Sequence, residues 1–519
     1  MLLWLPWRAA TTPDRTALVA PDGESFSYAE LNLRADGMAR ALSSSGVAKG
    51  DRVALLLPNS ATFAALIHAS MRLGAILVPL NLRLTPAELA WQVEDADARL
   101  LLCDATTLPT ALMVGERASG VRVMRVDAQD ARESEPEGMS GSARPHDIPS
   151  LLDVTRERTT ILREMADPDE PLAIVYTSGT SGRPKGAILG YSNFWWSAMG
   201  SALNLGIHAG DRWLAPLPLF HVGGLSVITR SAIYGTTAVL HDGFDVDRVN
   251  DALEDDGITI VSLVPTMLGR ILDARDDRPA PPRLRCVLLG GGPAPRSLLE
   301  RCATVGIPVS LTYGLTEACS QVATLAPSDA LQKLGSSGKP LYPTRLRIAR
   351  DDGSDAAAGE GGEILVSGPT VTRGYWNRPD ATATAFRDGW LRTGDVGMLD
   401  ADGYLFVLDR RDDLIVTGGE NVYPAEVESV LLAHDEVAEV AVIGVPDAEW
   451  GQRVVALARV TEGSDITLES LRDLCAGRIA RYKLPVELRI THHPLPRTAT
   501  GKLSRRLARE LWEDGTDND

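Results

Sequence analysis

The densest chemistry in this chain lies in one short run, Tyr176-Thr177-Ser178-Gly179-Thr180-Ser181-Gly182-Arg183-Pro184-Lys185-Gly186. Glycines at 179, 182 and 186 permit tight turns that bring backbone N–H groups against an anion, and Thr177, Ser178, Thr180 and Ser181 add hydroxyl donors. Arg183 and Lys185 bring positive charge, and the apolar run 172–175 places a buried strand in front. A loop of this kind grips a phosphate chain. A Ser/Gly-rich linker shares the composition but needs neither the strand nor the Pro-Lys-Gly ending. Lys185 precedes glycine rather than Ser or Thr, so the spacing is not that of the GxxxxGK[ST] nucleotide loop.

Further groups could complete a nucleotide site. Tyr313, Gly314, Thr316 and Glu317 follow an apolar strand-like run and should emerge at the same sheet edge as the phosphate loop. Ligands in open α/β sheets sit outside the carboxyl ends of the strands. A carboxylate there can hold magnesium beside a triphosphate, and an aromatic ring can stack on a base; alternatively Glu317 caps a helix beginning near Thr316. Gly290, Gly291 and Gly292 after the run 286–289 permit close approach by a flat ligand. Asp395 lies just past a short strand, where it could accept from ribose hydroxyls or simply close a turn. Lys502, in Pro496-Arg-Thr-Ala-Thr-Gly-Lys502, sits on a glycine turn from which it could swing inward, or stand solvated at a helix start.

The elements that must position these groups read as layers. Over 27–104, strand-like runs (52–57, 75–79, 99–103) alternate with helical stretches (28–43, 60–73, 85–95), the pattern of a sheet flanked by helices. A second alternating block runs from the phosphate loop to about residue 311. After residue 333 short strands with glycine turns suggest a small β subdomain. The charged string 409–413 reads as a hinge, followed by a compact α+β unit. The expected architecture is α/β: a large layered N-terminal body with a small β subdomain (1–408), a hinge (409–413) and a small mobile α+β C-terminal domain (414–519). Residues 127–169, polar and rich in Pro, Gly and Ser, read as a surface loop.

At 519 residues and 44% hydrophobic composition the chain is globular and too long for one core. A net charge of -17 argues against nucleic acid as a partner. Five scattered cysteines without a CxxC pair suggest neither disulfides nor zinc, and point to a reducing, cytoplasmic setting. The apolar opening 1–7 is broken by Pro6 and followed by Arg8, so a first amphipathic helix is expected rather than a signal peptide, and no apolar run reaches the ~20 residues of a membrane span. Lysines occur only at 49, 185, 333, 339, 483 and 502 in an arginine-rich chain.

Taken in order, the phosphate loop, Phe220-His221, Tyr313 to Glu317, Asp395, the 409–413 string, Gly418-Gly-Glu-Asn421 and Lys502 resemble the acyl-adenylate-forming superfamily of acyl-CoA synthetases, adenylation domains and luciferases. The likeness covers residues 8 to 510. It implies that ATP and a carboxylic acid give an acyl-adenylate and pyrophosphate, and that the acyl group then passes to a thiol. It further implies that Thr177 to Lys185 bind the β- and γ-phosphates, that Gly291, Gly292 and Tyr313 form the adenine site, with Gly314 and Thr316 also binding the cofactor, and that Asp395 and Arg410 meet the ribose. Thr177 and Glu317 would be the magnesium neighbours, Lys502 the catalytic lysine that bridges the carboxylate and α-phosphate, and Asp412 the hinge. The cofactors implied are ATP, Mg²⁺ and coenzyme A; a homodimer is left open.

Within that superfamily the stretches 218–226, 288–295, 313–321 and 333–340 look most like the o-succinylbenzoate-CoA ligases of menaquinone biosynthesis, which also carry a basic residue in the helix after the His221 position. Here that residue is Arg230, the only charge in the apolar stretch 222–234. His221 and Arg230 would then face the acid, Arg230 matching the carboxylate that does not react. Otherwise Arg230 reaches solvent or pairs with an acid, and the enzyme would be an aryl- or medium-chain acyl-CoA ligase, or a stand-alone module loading a carrier protein. The 127–169 segment is longer than the resemblance leads one to expect.

Overall fold

The computed structural model describes the chain except for residues 128–149, 152–159, 178–183, 277, 292–293, 295, 330–331, 351, 410–414, 423, 435, 461–463, 465, 497–502, 504 and 514–519. Two large sheets form the body. One has nine strands, with a parallel centre of Val309–Leu315, Cys286–Leu289, Ile260–Leu263, Arg212–Ala215, Thr237–Leu240 and Thr16–Val19 in that spatial order and antiparallel strands at both edges. The other has six, running Arg122–Arg125, Ala98–Cys103, Arg52–Leu56, Ile76–Pro79, Pro171–Thr177 and Lys185–Gly190.

The largest core cluster joins residues of both sheets, such as Val53, Leu77 and Val175 with Leu18, Trp213 and Leu240. Of the helices that share it, Ala61–Leu73 and Val222–Tyr234 are buried on nearly every face. A helix apolar all round belongs between layers. Helix starts follow local capping chemistry: Ser27 with Glu30, and Thr85 with Glu88, form reciprocal capping boxes ahead of Tyr28–Ser44 and Pro86–Asp95.

A third, antiparallel sheet includes Gly362–Ser367 and Trp390–Leu399, and a fourth, built after residue 414, pairs Val437–Asp447 with Gly451–Val460. The expected strand–helix alternation is present, with one difference that bears on the site. The phosphate loop leads into strand Lys185–Gly190, paired antiparallel with Pro171–Thr177, before the helix Tyr191–Leu205 begins. Periodicity does not reveal a strand that opens with Lys-Gly. The helix Leu108–Arg117, the strand Thr16–Val19 and the edge strand Ser25–Ser27 were likewise not legible.

All five cysteines are buried and unpaired. No helix among the described residues is long and apolar enough to cross a membrane.

His68, on the buried helix Ala61–Leu73, is 2% exposed, and neither ring nitrogen has a hydrogen-bond partner. Burial pushes its pKa down to about 4. Below the ordinary histidine value the unfolded chain takes a proton that the folded chain refuses until about pH 4, so stability falls as pH falls through that window. The loss reaches about 2 kcal/mol near pH 5. His68→Leu should flatten the fall in apparent melting temperature between about pH 7.5 and about pH 5, which thermal unfolding at several pH values would measure.

Candidate active site

A cavity of roughly 340 Å³ opens at the carboxyl ends of the central strands of the nine-stranded sheet. Val264, Gly290, Gly291, Thr312 and Gly314 line it from those strand ends, Thr177 and Pro184 from the phosphate hairpin, and Asp395 from the third sheet. The loop Gly418 to Asn421, with Tyr482 and Lys483, closes it from the tail unit.

Several positions admit only glycine. A Cβ on Gly314 would lie 2.0 Å from the Ser320 carbonyl oxygen, and one on Gly186 would lie 2.5 Å from Ile174 Cγ2. The first holds the strand Val309–Leu315 against its antiparallel neighbour; the second lets the phosphate hairpin close.

Thr177 ends its strand with Oγ1 donating to the Lys185 carbonyl at 3.4 Å. Glu317 lies in a single 3₁₀ turn, Thr316–Ala318, that has no side-chain cap. The helix-cap alternative therefore fails. Its Oε1 instead accepts from the Tyr375 hydroxyl at 2.8 Å, and the Lys185 ammonium stands 5.3 Å from the centre of the same ring. Tyr375 thus ties the strand Lys185–Gly190 to the carboxylate. Tyr375→Phe should slow the adenylation that the resemblance implies about 3- to 10-fold through loss of this one hydrogen bond, measured as pyrophosphate exchange, with little change in melting temperature.

Tyr313 is 3% exposed and packed with Val322, Ile364 and Leu391, so the strand turns Thr312 and Gly314, rather than that ring, to the cavity. Its hydroxyl donates to Asp395 Oδ2 at 2.6 Å and fixes the orientation of that carboxylate.

His221 precedes the helix Val222–Tyr234, its side chain 43% exposed, with Nε2 3.6 Å from Glu420 Oε2. Glu420 belongs to the tail unit and accepts from Asn81 at 3.2 Å and Arg83 at 2.9 Å in the body. Burial raises the carboxyl pKa of Glu420, but its contacts with His221, Arg83 and Asn81 outweigh this and hold it below the ordinary value.

Arg230 is 2% exposed and lines the cavity. Its Nη2 donates to Ser197 Oγ at 3.0 Å, the guanidinium lies 5.7 Å from the Trp213 ring, and Nε has no partner. Burial pushes its pKa down. No ion pair to an acid forms among the described residues, and it does not reach solvent. Both bland alternatives for this residue are thereby removed.

Ser178, Gly179, Thr180, Ser181, Gly182, Gly292, Arg410, Asp412 and Lys502 lie outside the described residues. Of the remaining expected positions, Thr177, Gly291, Gly314, Thr316, Glu317, His221, Arg230 and Asp395 share the one cavity. Tyr375, Glu420, Arg83 and Asn81 escaped the sequence reading as individual residues. Glu420 sat inside a quoted motif, whereas nothing in the sequence marks Arg83 or Asn81 as its partners.

Residues 5–376 match the model of the AMP-binding enzyme family, and 426–502 that of the AMP-binding enzyme C-terminal domain. The chain is similar to 2-succinylbenzoate–CoA ligase of Geobacillus kaustophilus (strain HTA426), 47% identical over 508 residues that cover 98% of this chain and 97% of that protein. Among solved structures it resembles o-succinylbenzoate CoA synthetase from Bacillus subtilis in several states, each 40% identical and covering 98% of this chain. A double mutant of that protein bound with the product analogue OSB-NCoA gives a TM-score of 0.87 over 98% of that chain. The complex with the acyl-adenylate intermediate OSB-AMP gives 0.73 over 98% of that chain, and the complex with ATP and magnesium ion gives 0.70 over 99%.

Proposed function

The chain belongs to the AMP-binding enzyme family, and from that premise we propose that it joins 2-succinylbenzoate to coenzyme A through an acyl-adenylate, consuming ATP. The observation that carries the acid's identity is Arg230: a buried guanidinium without an acid partner among the described residues, in the wall of the cavity that Glu317 and Asp395 also line. An apolar acid gives such a charge nothing to pair with. A dicarboxylate leaves one carboxylate over after activation, and that group is the missing partner.

The two steps divide among the residues as follows. A carboxylate oxygen of the acid attacks the α-phosphorus and pyrophosphate leaves. Thr177 to Lys185, including Ser178, Gly179, Thr180, Ser181 and Gly182, hold the departing phosphates; Gly291, Gly292, Gly314 and Thr316 shape the adenine side; Asp395, oriented by Tyr313, and Arg410 hold the ribose. Lys502 places its charge between the reacting carboxylate and the α-phosphate, where negative charge grows in the transition state. Among the described residues no group of three or more His, Cys, Asp or Glu could cage a metal. Magnesium therefore fits as an ion arriving with the triphosphate, beside Thr177 and Glu317, where it would neutralise phosphate charge.

In the second step the thiol sulfur attacks the acyl carbon and AMP leaves. The higher TM-score to the OSB-NCoA complex than to the OSB-AMP complex supports assigning the present placement of the tail unit to this step. The turn at Gly418 and Gly419, both at positive φ, then walls the thiol's entry, and Glu420 draws on His221. Rotation about Asp412, in the 409–413 hinge between 1–408 and 414–519, would exchange this arrangement for the one that brings Lys502 in. Five buried, unpaired cysteines suit the reducing cytoplasm.

Pyrophosphate release with 2-succinylbenzoate, benzoate, octanoate and an amino acid tests the reading, followed by product analysis after coenzyme A is added. We expect turnover with 2-succinylbenzoate to exceed the others by at least about 10²-fold, the discrimination a buried charge partner supplies. Comparable turnover of benzoate or octanoate would overturn the acid assignment. Adenylate formation without a CoA thioester would overturn the ligase.

A further inference from the structure

The contact between body and tail contains a second charged cluster, separate from Glu420. Lys483 of the tail unit is 2% exposed, and its ammonium lies between two carboxylates: Glu426 Oε1 at 2.8 Å and Glu88 Oε1 at 2.6 Å. Glu426 stands in the first turn of helix Pro424–Leu431, in the same unit as Lys483. Glu88 stands in the first turn of helix Pro86–Asp95 in the body. Any rotation of the tail carries Lys483 and Glu426 along together and leaves Glu88 behind. Within this cluster, the bond between Lys483 and Glu88 is therefore the one that distinguishes one arrangement from the other.

Glu88 is prepared for this contact. Its other oxygen, Oε2, accepts from the Thr85 backbone N–H at 2.8 Å and from the Thr85 hydroxyl at 2.9 Å, completing the capping box of its own helix. The cap fixes the carboxylate plane, so Oε1 faces the tail without a further loss of rotamer freedom. Lys483, in turn, is fixed by Glu426. Burial disfavours its charge, but the two carboxylates more than compensate and hold its pKa above the ordinary lysine value. A charged lysine is thus presented on one unit and an oriented acceptor on the other.

Resting on the two-arrangement reading above, we infer that Glu88 and Lys483 are positioning residues for the thioester-forming step, a latch that holds the tail unit in the orientation admitting the thiol. Neither needs to touch the reacting atoms. Their bond biases the equilibrium between arrangements, because it is made in one of them and absent from the other.

The clean variant is Glu88→Gln. Glutamine at this position still accepts from Thr85 and keeps the helix cap, but it removes the negative charge that seats Lys483. We expect single-turnover transfer from preformed 2-succinylbenzoyl-adenylate to coenzyme A to slow about tenfold or more, a loss of 1.4 kcal/mol or more of bias toward the docked arrangement. Pyrophosphate exchange, which reports adenylation, should stay within about twofold. Lys483→Met should slow the transfer at least as much, and adding Glu88→Gln to it should cost little more, since the two act through one bond.

Equal slowing of both half-reactions by Glu88→Gln would mark a purely structural role and overturn the latch, as would an unchanged transfer rate. Additive losses in the double variant would overturn it too. Failure of the unmodified enzyme to make the CoA thioester would instead sink the reading beneath it, so the two failures are told apart by the parent protein.

Discussion

Arg230→Leu is expected to lower kcat/KM for 2-succinylbenzoate by about 10²-fold or more, as for loss of one partner in a buried charge pair. Activity on benzoate, which has no second carboxylate, should stay within about threefold, since only the charge-dependent part of recognition is removed. The reason lies in the placement of the guanidinium: 2% exposed, hydrogen-bonded to Ser197, and facing no acid in the described structure. In such surroundings an unmatched cation weakens the empty protein and strengthens the complex with an anion. Leucine removes both effects, so the apparent melting temperature of the free variant should hold or rise while that of the substrate complex falls. Arg230→Lys should lie between the two in kcat/KM, because an ammonium offers a point charge where the guanidinium offers a planar fork. An equal loss with benzoate would instead give Arg230 the task of holding Ser197, whose hydroxyl donates to the Cys319 carbonyl at 2.6 Å beside the turn that presents Glu317.

Lys502→Ala should slow adenylate formation by about 10²-fold or more, as for removal of one charge-stabilising donor, and spare transfer to coenzyme A from a supplied adenylate. Negative charge accumulates where the carboxylate meets the α-phosphate, and a cation placed there stabilises the transition state more than the ground state. The transfer step instead breaks the bond between the acyl carbon and the AMP oxygen, so charge develops on the acyl oxygen and the departing AMP, and no attack at phosphorus takes place. On the two-arrangement proposal it uses the arrangement in which Glu420 is bound to Asn81 and Arg83 and Lys483 to Glu88. Pyrophosphate exchange measured beside single-turnover transfer separates the steps; equal loss in both would contradict the assignment. Together with Glu88→Gln, which should affect transfer alone, the variant dissects the cycle from its two ends.

The site was legible in the sequence to the extent that its parts are local. Thr177, the run Gly314 to Glu317 and Asp395, which share the cavity, announced themselves because strand ends, turns and isolated acids are short-range patterns, although Asp395 lies within the strand Trp390–Leu399 and not past a strand as expected. Tyr375 did not, because its value comes from standing between Lys185 and Glu317, which lie 190 and 58 residues before it in the sequence. The strand Lys185–Gly190 was hidden for a related reason: its stability comes from pairing with Pro171–Thr177, not from its own residues.

By itself the sequence determined the α/β class and the lone charge in an apolar helix, since each depends on composition and spacing along the chain. Whether Arg230 reaches solvent, meets an acid or waits in the cavity was decided only by the packing of its helix between two sheets. The partners of Glu420 and Lys483 were likewise decided by tertiary structure alone. A charge signals in sequence that it needs compensation, but the compensating group is chosen by which surfaces the folded chain brings together, and here those surfaces lie more than three hundred residues apart.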